Sequence, residues 1–488
     1  MAAEYKYGVY GRIGDDIAQN ASEAGTAPVY FGTAPVHLFS DPTDKVNKPI
    51  KISNLSDAVK KVGHFADSAK WGAYTLCEAI AAHFANPNGN VGPIYVVNVL
   101  DPNKHKKSAA TTQEIVFINR KATIASTSII VSTLAIADKV LGTDYTVSYD
   151  FSSGVLTITD IGKTAIEAAE VSFNEVDTEA ITAADIVGGE ATDGGLTGIA
   201  ALKLVYQTCN VIPTYLAAPG WSDKKAVYDA LVAASQNING HWCAFVYADI
   251  PVKDVSTIEA AKAWKDTNGY NSGFSKVFWP QAKNGADVYH LATLALVEKL
   301  RCDMSNDDVP FETDGNKTLA ISGLYFGSGV NIPGFDKADA NELTAAGIAT
   351  AIYWEGNWRT WGDHTAAYSF GGNYKAREIF DVNMIMLFYI ANSFQKEWGT
   401  TIDKPMTTAL RDTILNREQE KLDALVAQGA LIGKPTVAFL ESNNDESDIL
   451  NGNFRWDIAA TNTPPLKSAT GVVCYTDAGF STYFGGEA

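Results

Sequence analysis

The hydrophobic pattern of the first hundred residues predicts strands that alternate with helices. Residues 29–35 and 93–100 are short apolar runs bounded by Gly or Pro, the usual form of a buried strand. Between them, apolar residues recur at helical spacing over residues 71–84, and Asn54 or Ser56 is placed to cap an earlier helix. This alternation favours a sheet with helices packed against it.

A different pattern occupies the segment from about 113 to 190, which is rich in Thr, Ser, Ile and Val. Residues 145–149 and 155–159 alternate apolar and polar positions and are joined through 151–154, as in a β-hairpin. Short β-branched strands of this kind predict a small β-sandwich whose polar outer face stands in solvent. Because α/β character resumes at Leu196, the segment is interpreted as an insertion in the first domain.

The rest of the chain returns to alternating helices and strands and ends in a mainly helical unit. The expected helices are 202–209, 223–235, 285–303, 377–398 and 406–428, and the expected strands are 214–220, 243–249, 353–362, 436–441 and 454–459. A last short β segment is expected at 471–476.

The sequence therefore predicts a multidomain fold of α/β and α+β type. It has a discontinuous α/β core, an inserted β-sandwich-like domain, a C-terminal α+β domain and extended arms at both ends, and its 488 residues suit about three domains. The predicted ranges are 1–20 for the N-terminal arm, 21–104 and 197–365 for the core, 105–196 for the insert, 366–470 for the C-terminal domain and 471–488 for the C-terminal arm.

The two arms are strand-like segments without a local partner. An unpaired strand leaves a row of N–H and C=O groups that must be satisfied elsewhere. Each arm could fold back on its own chain or fray at its end, or it could complete a sheet in another copy of the protein. In the second case the contacts between subunits would be carried by Tyr7, Val9 and Tyr10 in the first arm and by Val472, Val473, Cys474 and Tyr475 in the second.

Composition narrows the classes of partner. Lys and Arg number 38 against 56 Asp and Glu, so the formal net charge is −18, which disfavours nucleic acid and anionic membrane surfaces. No apolar run approaches the roughly 20 residues of a membrane span, and no secretory leader is predicted at the N-terminus. Five scattered cysteines without a Cys-x-x-Cys pair indicate neither a disulfide framework nor a zinc site, and favour a reducing cytoplasm.

A search for catalytic and cofactor motifs predicts none. The glycines of residues 323–329 lack P-loop and Rossmann spacing and are typical of a strand end or turn. His241 and Cys243 could meet on one strand face, but a buried Cys beside a surface His is favoured, and Asp363-His364 is interpreted as a loop pair. The acidic stretch 441–448 lacks the pattern of a calcium loop. An α/β enzyme that uses His241 or His364 is kept as an alternative.

In order along the chain, several motifs resemble the tail sheath proteins of contractile phages and related contractile injection systems. The first is Tyr7-Gly8-Val9-Tyr10, with Tyr7 where the family has Pro. Residues 29–36, 47–50 and 53–58 are similar to the strand, Gly-Thr-Ala-Pro and helix at the sheath opening, and residues 142–147 are similar to a strand of the family's β-rich insert. Residues 353–360 are similar to its Trp-Gly-x-Arg-Thr strand, but with Glu355 intervening and Trp358 in place of a smaller residue, and the helical unit after Arg377 resembles the family's C-terminal domain.

The resemblance implies a structural subunit without an active site or cofactor. Copies would polymerise around an inner tail tube, above a baseplate and below a tail terminator, with each arm adding a strand to a neighbour's C-terminal domain, in a virion tail assembled in the bacterial cytoplasm. It also implies that a helix of the C-terminal domain faces the tube, so Arg411, Arg417 and Lys421 are candidate tube contacts. A solvated helix face with ordinary i,i+4 contacts is an equal alternative.

Two further expectations accompany this interpretation. The insert is expected to decorate the outer surface, so that its deletion leaves assembly intact. A different phage structural or surface protein, whose β-rich insert binds a ligand, is kept as a second alternative to the sheath.

Overall fold

The computed structural model describes residues 22–23 and 25–485 of the chain. Its strands are β1 (Ser22–Glu23), β2 (Pro28–Gly32), β3 (Pro49–Ile52), β4 (Val91–Gly92), β5 (Ile94–Asn98), β6 (Thr111–Val116), β7 (Lys121–Ala125), β8 (Ala135–Ile136), β9 (Tyr145–Asp150), β10 (Val155–Asp160), β11 (Ala168–Phe173), β12 (Gly189–Glu190), β13 (Leu196–Thr197), β14 (Tyr215–Ala217), β15 (Phe245–Asp249), β16 (Ser275–Phe278), β17 (Gln281–Asn284), β18 (Asp287–Tyr289), β19 (Thr318–Leu319), β20 (Gly323–Tyr325), β21 (Ile348–Trp354), β22 (Asn357–Trp361), β23 (Leu431–Ala438) and β24 (Asp457–Asn462).

The α-helices lie mainly between the strands of the core and again near the C-terminus. They are α1 (Leu55–Lys61), α2 (Leu76–Phe84), α3 (Ala183–Val187), α4 (Val205–Cys209), α5 (Lys225–Gln236), α6 (Ile258–Asn268), α7 (Leu291–Ser305), α8 (Lys337–Ala345), α9 (Asp381–Trp398), α10 (Thr408–Gln428) and α11 (Glu446–Leu450). Within the described residues, no helix is both long enough and apolar enough to cross a bilayer.

A nine-stranded sheet in the order β19-β22-β21-β16-β15-β14-β2-β5-β3 forms the centre of the molecule. The six strands from β21 to β5 are parallel, and the strands at both edges are antiparallel. Every residue of β2, β5, β15 and β16 is buried, as expected for parallel strands covered on both faces. Since β2 pairs with β5 and also with β14, one sheet joins chain from both sides of the segment 105–196.

That intervening segment contains two antiparallel sheets of three strands, β7-β10-β9 and β6-β11-β8. The predicted hairpin is present as β9 and β10, paired from Tyr145 opposite Asp160 to Asp150 opposite Val155. The start of its turn packs against the core, because the Phe151 ring lies 5.6 Å from Phe39 and 6.0 Å from Phe65. The segment is therefore in contact with the loops around the large sheet at this turn.

Among the predicted elements of the core, two differ most from the structure. Residues 353–362 are not a single strand, because β21 and β22 form a hairpin around Glu355 and Gly356, whose φ values are 49° and 85°. Both central residues with positive φ are the mark of a tight hairpin turn, and Glu is an uncommon residue there. The helix expected from Gly285 begins at Leu291 instead, since Gly285 has φ 62° and turns the chain between β17 and β18.

The C-terminal unit matches its predicted helices closely. α9 and α10 end at Trp398 and Gln428, as expected from the apolar spacing, and α10 ends with Gly429 in the left-handed region. β23 and β24 begin five and three residues from their predicted starts. Side chains from both helices and β23 form a separate small core that includes Met386, Leu422, Leu425 and Leu431.

Candidate assembly interface

The C-terminal arm has no partner in its own molecule among the described residues. Residues 463–477 lie outside any helix or strand, so a strand at 471–476 is absent from the isolated chain. The side chains of Val472, Val473 and Tyr475 are 82%, 97% and 83% exposed, and Cys474 is an exposed free thiol. Apolar side chains this exposed on one short segment are typical of a surface that another molecule covers. Tyr7, Val9 and Tyr10 of the other arm lie outside the described residues.

The arm is fastened to the body at its root. Lys467 Nζ donates to His364 Nε2 at 2.6 Å and lies 4.9 Å from the centre of the Tyr368 ring. The imidazole is stacked between Tyr368 and Phe380, and its Nδ1 donates to Ile379 O at 2.8 Å. Burial lowers the pKa of His364 to about 4, which keeps the ring neutral and its Nε2 free to accept.

This contact gives His364 a structural role that sequence reasoning missed. The residue was considered as a catalytic candidate or a loop residue, and its partner Lys467 lies 103 positions further along the chain. Nothing in the local pattern of either residue indicates the pairing. The position where the arm leaves the body is consequently fixed at Lys467.

Replacement of Lys467 by Met is expected to release this root. The hydrogen bond involves a charged donor, and such bonds contribute about 1.5–3 kcal/mol, so the released root should be about tenfold or more populated, and cleavage within residues 466–470 by proteinase K should accelerate by the same factor. Lys404→Met, which removes an exposed lysine of the same unit, should leave that cleavage rate unchanged. Equal cleavage rates in the two variants would show that Lys467 does not hold the arm.

β23 and β24 form a two-stranded antiparallel sheet on the surface of the C-terminal unit. The register shifts between Ile432 and Thr436, and no third strand joins the sheet within residues 25–485. An isolated pair of strands is marginally stable in water and needs packing or further strands for support. The helices α9 and α10 supply the packing on one face, and at least one edge is available for pairing.

The three candidate tube contacts all lie on α10, where each meets a carboxylate of its own chain. Arg411 pairs with Asp412 at 2.7 Å, and Arg417 pairs with Glu397 at 2.8 Å. Lys421 pairs with the same Glu397 and with Glu418. The structure thus brings Arg417 and Lys421 together around one acid and places Arg411 apart from them. Their role toward a tube stays a prediction.

The residues considered for catalysis are not assembled into a nucleophilic site. His241 is exposed and stacks on Trp242 with ring centres 5.4 Å apart, while the Cys243 thiol donates to Gln236 O at 3.2 Å. Burial raises the pKa of Cys243, which disfavours the reactive thiolate. Residues 323–325 are strand β20, the strand end that the glycine pattern predicted. Across the described ranges, no group of three or more His, Cys, Asp or Glu could hold a metal ion.

A buried charge cluster joins the large sheet to helix α9. Lys276 of β16 donates to Asp314 Oδ1 at 2.8 Å and to Asp381 Oδ2 at 2.7 Å, and Tyr247 donates to the same Asp314 oxygen. All three charged side chains are at most 1% exposed. Burial opposes the charge on Lys276, but the two carboxylates outweigh it and raise its pKa. Sequence reasoning missed this cluster, because its members lie on three separate segments.

The comparisons with known proteins agree with this architecture. The tail sheath protein of Burkholderia phage BcepMu is 25% identical to this chain over 509 aligned residues, which cover 96% of each protein. Over nearly its full length the chain is therefore similar to a contractile tail sheath protein. The major tail sheath protein of Serratia phage KSP20 is 26% identical to this chain, over 61% of this chain and 72% of the phage protein. No family model matches the sequence.

A solved structure supports the fold of this chain. It is a chain of an extracellular contractile injection system, the PVC sheath complex in its contracted state, which aligns with a TM-score of 0.53 over 99% of this chain and 100% of that chain. At 13% identity the likeness concerns the fold alone. The chain is thus a mixed α/β multidomain protein with the fold of a contractile sheath subunit, and its sequence is similar to a tail sheath protein over nearly its whole length.

Proposed function

We propose that this sheath protein polymerises helically around an inner tail tube and contracts to drive that tube through a cell envelope. The observation that carries the proposal is the C-terminal arm, which exposes Val472, Val473 and Tyr475 and has no pairing partner among the described residues of its own chain. The same molecule carries a two-stranded sheet to which a strand can be added. A chain with both a free strand and an incomplete sheet is suited to strand exchange between copies.

The geometry of such an exchange leads to an open assembly. The arm of one copy and the sheet of the next are different surfaces, so the contact is heterologous and repeats along a line or helix. The proposed links use Tyr7, Val9 and Tyr10 in the N-terminal arm and residues 472–475 in the C-terminal arm. Contraction is then a rigid-body rotation of folded subunits while the arms keep neighbours connected.

The partners and the location follow from this role. We assign the inner tube protein, the baseplate and the tail terminator as partners, and the tail of a virion assembled in the host cytoplasm as the location. The sheath protein acts without catalysis or cofactor. The division into arms 1–20 and 471–488, core 21–104 with 197–365, insert 105–196 and C-terminal domain 366–470 belongs to the same proposal, with the insert on the outer surface.

Electron microscopy of the purified full-length protein tests this function. Negatively stained samples should contain tubes or stacked rings with a central channel wide enough for an inner tube. A closed icosahedral shell would favour a capsid component instead. A particle that stays monomeric at high concentration would contradict the polymer.

Deletion of residues 105–196 is expected to leave the tubes intact, and their loss in a folded deletion variant would place the insert in the assembly contacts.

A further inference from the structure

The Asp363-His364 pair, which the sequence indicated as part of a loop, lies directly beside the root of the C-terminal arm. Asp363 Oδ1 is 3.7 Å from His364 Nε2, the same nitrogen that accepts from Lys467 Nζ at 2.6 Å. The Asp363 side chain is 13% exposed, and its carbonyl oxygen accepts from the backbone N–H of Asp381 at the start of α9. A carboxyl, an imidazole and an ammonium group therefore meet where the arm leaves the body.

The charges that act on Asp363 come from three separate elements. Lys276 of β16 and Lys467 of the arm favour its ionised form, whereas burial and the carboxylate of Asp381 on α9 oppose it. Burial is the largest of these effects and raises the pKa of Asp363 to about 6. His364 does not titrate in the same range, because burial lowers its pKa to about 4. Between about pH 5 and 7 the charge that changes beside Lys467 is therefore that of Asp363.

Asp363 also supplies the negative charge that balances Lys467. The neighbouring Lys276 already donates to two buried carboxylates. Among the described residues, no carboxylate is in salt-bridge contact with Lys467, whose ammonium contacts the His364 nitrogen and the ring and hydroxyl of Tyr368. When Asp363 takes up a proton, Lys467 is left with these uncharged partners and still repelled by Lys276.

We infer that Asp363 makes the root of the C-terminal arm sensitive to acid, because its ionised side chain holds Lys467 in place and its protonation releases residues 464–470 from the body. The inference goes beyond the proposed function, since it concerns a single subunit whether or not the copies polymerise. Release would lengthen the free part of the arm. Thr463, which donates to Ala430 O at 3.1 Å, is the next point at which the chain is held. The arm would gain four residues, or about 14 Å when fully extended.

The direction of the pH effect follows from the attraction between the two groups. Lys467 favours the carboxylate, so Asp363 binds its proton less tightly while the root is held than after it is released. The contact therefore stabilises the held root fully above about pH 7 and loses this stabilisation as the pH falls through about 6. The whole fold responds in the opposite direction, because the pKa of Asp363 lies above its value in an unfolded chain and its protonation stabilises the folded subunit. Acid release of the root is thus distinct from unfolding.

Limited proteolysis of the full-length, unassembled subunit tests this inference. Cleavage by proteinase K within residues 466–470 should accelerate about three- to fivefold between about pH 7.5 and pH 5.5, the upper part of the range for an ion pair with one exposed partner. The rate at each pH is divided by that of a synthetic peptide with the sequence of residues 460–475, which removes the pH dependence of the protease itself. Circular dichroism at both pH values reports whether the subunit stays folded.

Two matched variants assign the effect to one carboxyl group. Asp363→Asn removes the titrating charge at almost the same volume, so its cleavage should be fast at both pH values and independent of pH. Asp403→Asn removes an exposed acid of the same C-terminal unit and should keep the wild-type pH profile. Lys467→Met should also cleave rapidly at both pH values, because the group that Asp363 attracts is gone.

Three results would overturn the inference. The first is a wild-type cleavage rate that does not change with pH. The second is a pH dependence that persists in Asp363→Asn, since another buried acid would then be responsible, such as Asp249, whose pKa burial raises to about 7. The third is a pH dependence that persists in Lys467→Met, which decides the matter even if Asp363→Asn does not fold. None of these results depends on tube formation, so the inference and the proposed function can fail separately.

Discussion

Removal of residues 471–488 is expected to leave a folded sheath protein that no longer polymerises. Val472, Val473 and Tyr475 are almost fully exposed, so their loss removes little of the burial that stabilises the subunit. In the assembly, four exchanged hydrogen bonds of about 1 kcal/mol each would be lost, together with the burial of Val and Tyr side chains. A loss of about 4 kcal/mol corresponds to roughly a thousandfold weaker association.

Sedimentation of the truncated protein measures this effect, and circular dichroism reports whether the fold is retained. A sharper pair of variants is Val473→Pro and Val473→Ala, since only proline removes the backbone N–H that a strand needs. Val473→Pro should prevent assembly, whereas Val473→Ala should weaken it modestly. Removal of residues 1–12 is expected to have the same effect as removal of 471–488. Unchanged polymers after both deletions would refute assembly through the arms.

Replacement of Lys276 by Met is expected to destabilise the subunit more than any other single change proposed for it. Without the ammonium group, Asp314 and Asp381 remain buried a short distance apart with no opposing charge. Removal of one partner from a buried ion pair costs about 3–5 kcal/mol. The carboxylate pKa values should rise in response, so part of the loss should be recovered as the pH is lowered and one acid takes up a proton.

Urea unfolding of the unassembled subunit measures that change, with Lys337→Met on exposed α8 as the control. A second variant that also carries Asp314→Asn and Asp381→Asn removes the uncompensated charges and should recover much of the lost stability. A loss below about 1 kcal/mol for Lys276→Met would place the cluster in the class of weak ion pairs. Recovery in the triple variant distinguishes charge burial from simple loss of packing.

The parts of the fold that sequence analysis predicted well are those in which local pattern and burial agree. β2 and β15 are short apolar runs that become fully buried parallel strands. α9 and α10 have their apolar residues at helical spacing and end close to the expected residues. Asn54 caps α1 as expected, with its side chain accepting from Asp57 N at 2.8 Å. Here short-range chemistry alone selects the element.

The missed features depend on contacts that are distant in sequence. Lys276 lies in the short buried strand β16, and its two acids lie 38 and 105 residues away. The link from Lys467 to His364 is equally remote. The hairpin at Glu355 was hidden for a different reason, because aromatic residues on both sides of the turn continue a strand-like pattern through it. Residues 471–476 are strand-like in sequence but form no strand in the single chain, because a strand needs a partner for its N–H and C=O groups.

The fixed root at Lys467 also sets a limit on motion between subunits. If residues 472–475 are paired in a neighbour, the four residues 468–471 link Lys467 to the added strand, and the five Cα–Cα steps from Lys467 to Val472 span at most about 18 Å when fully extended. Two neighbours joined in this way can separate or slide only by that distance before the contact at Lys467 or the added strand breaks. The displacement available between two neighbours is therefore limited by the length of this linker, and a large contraction has to be the sum of many small steps.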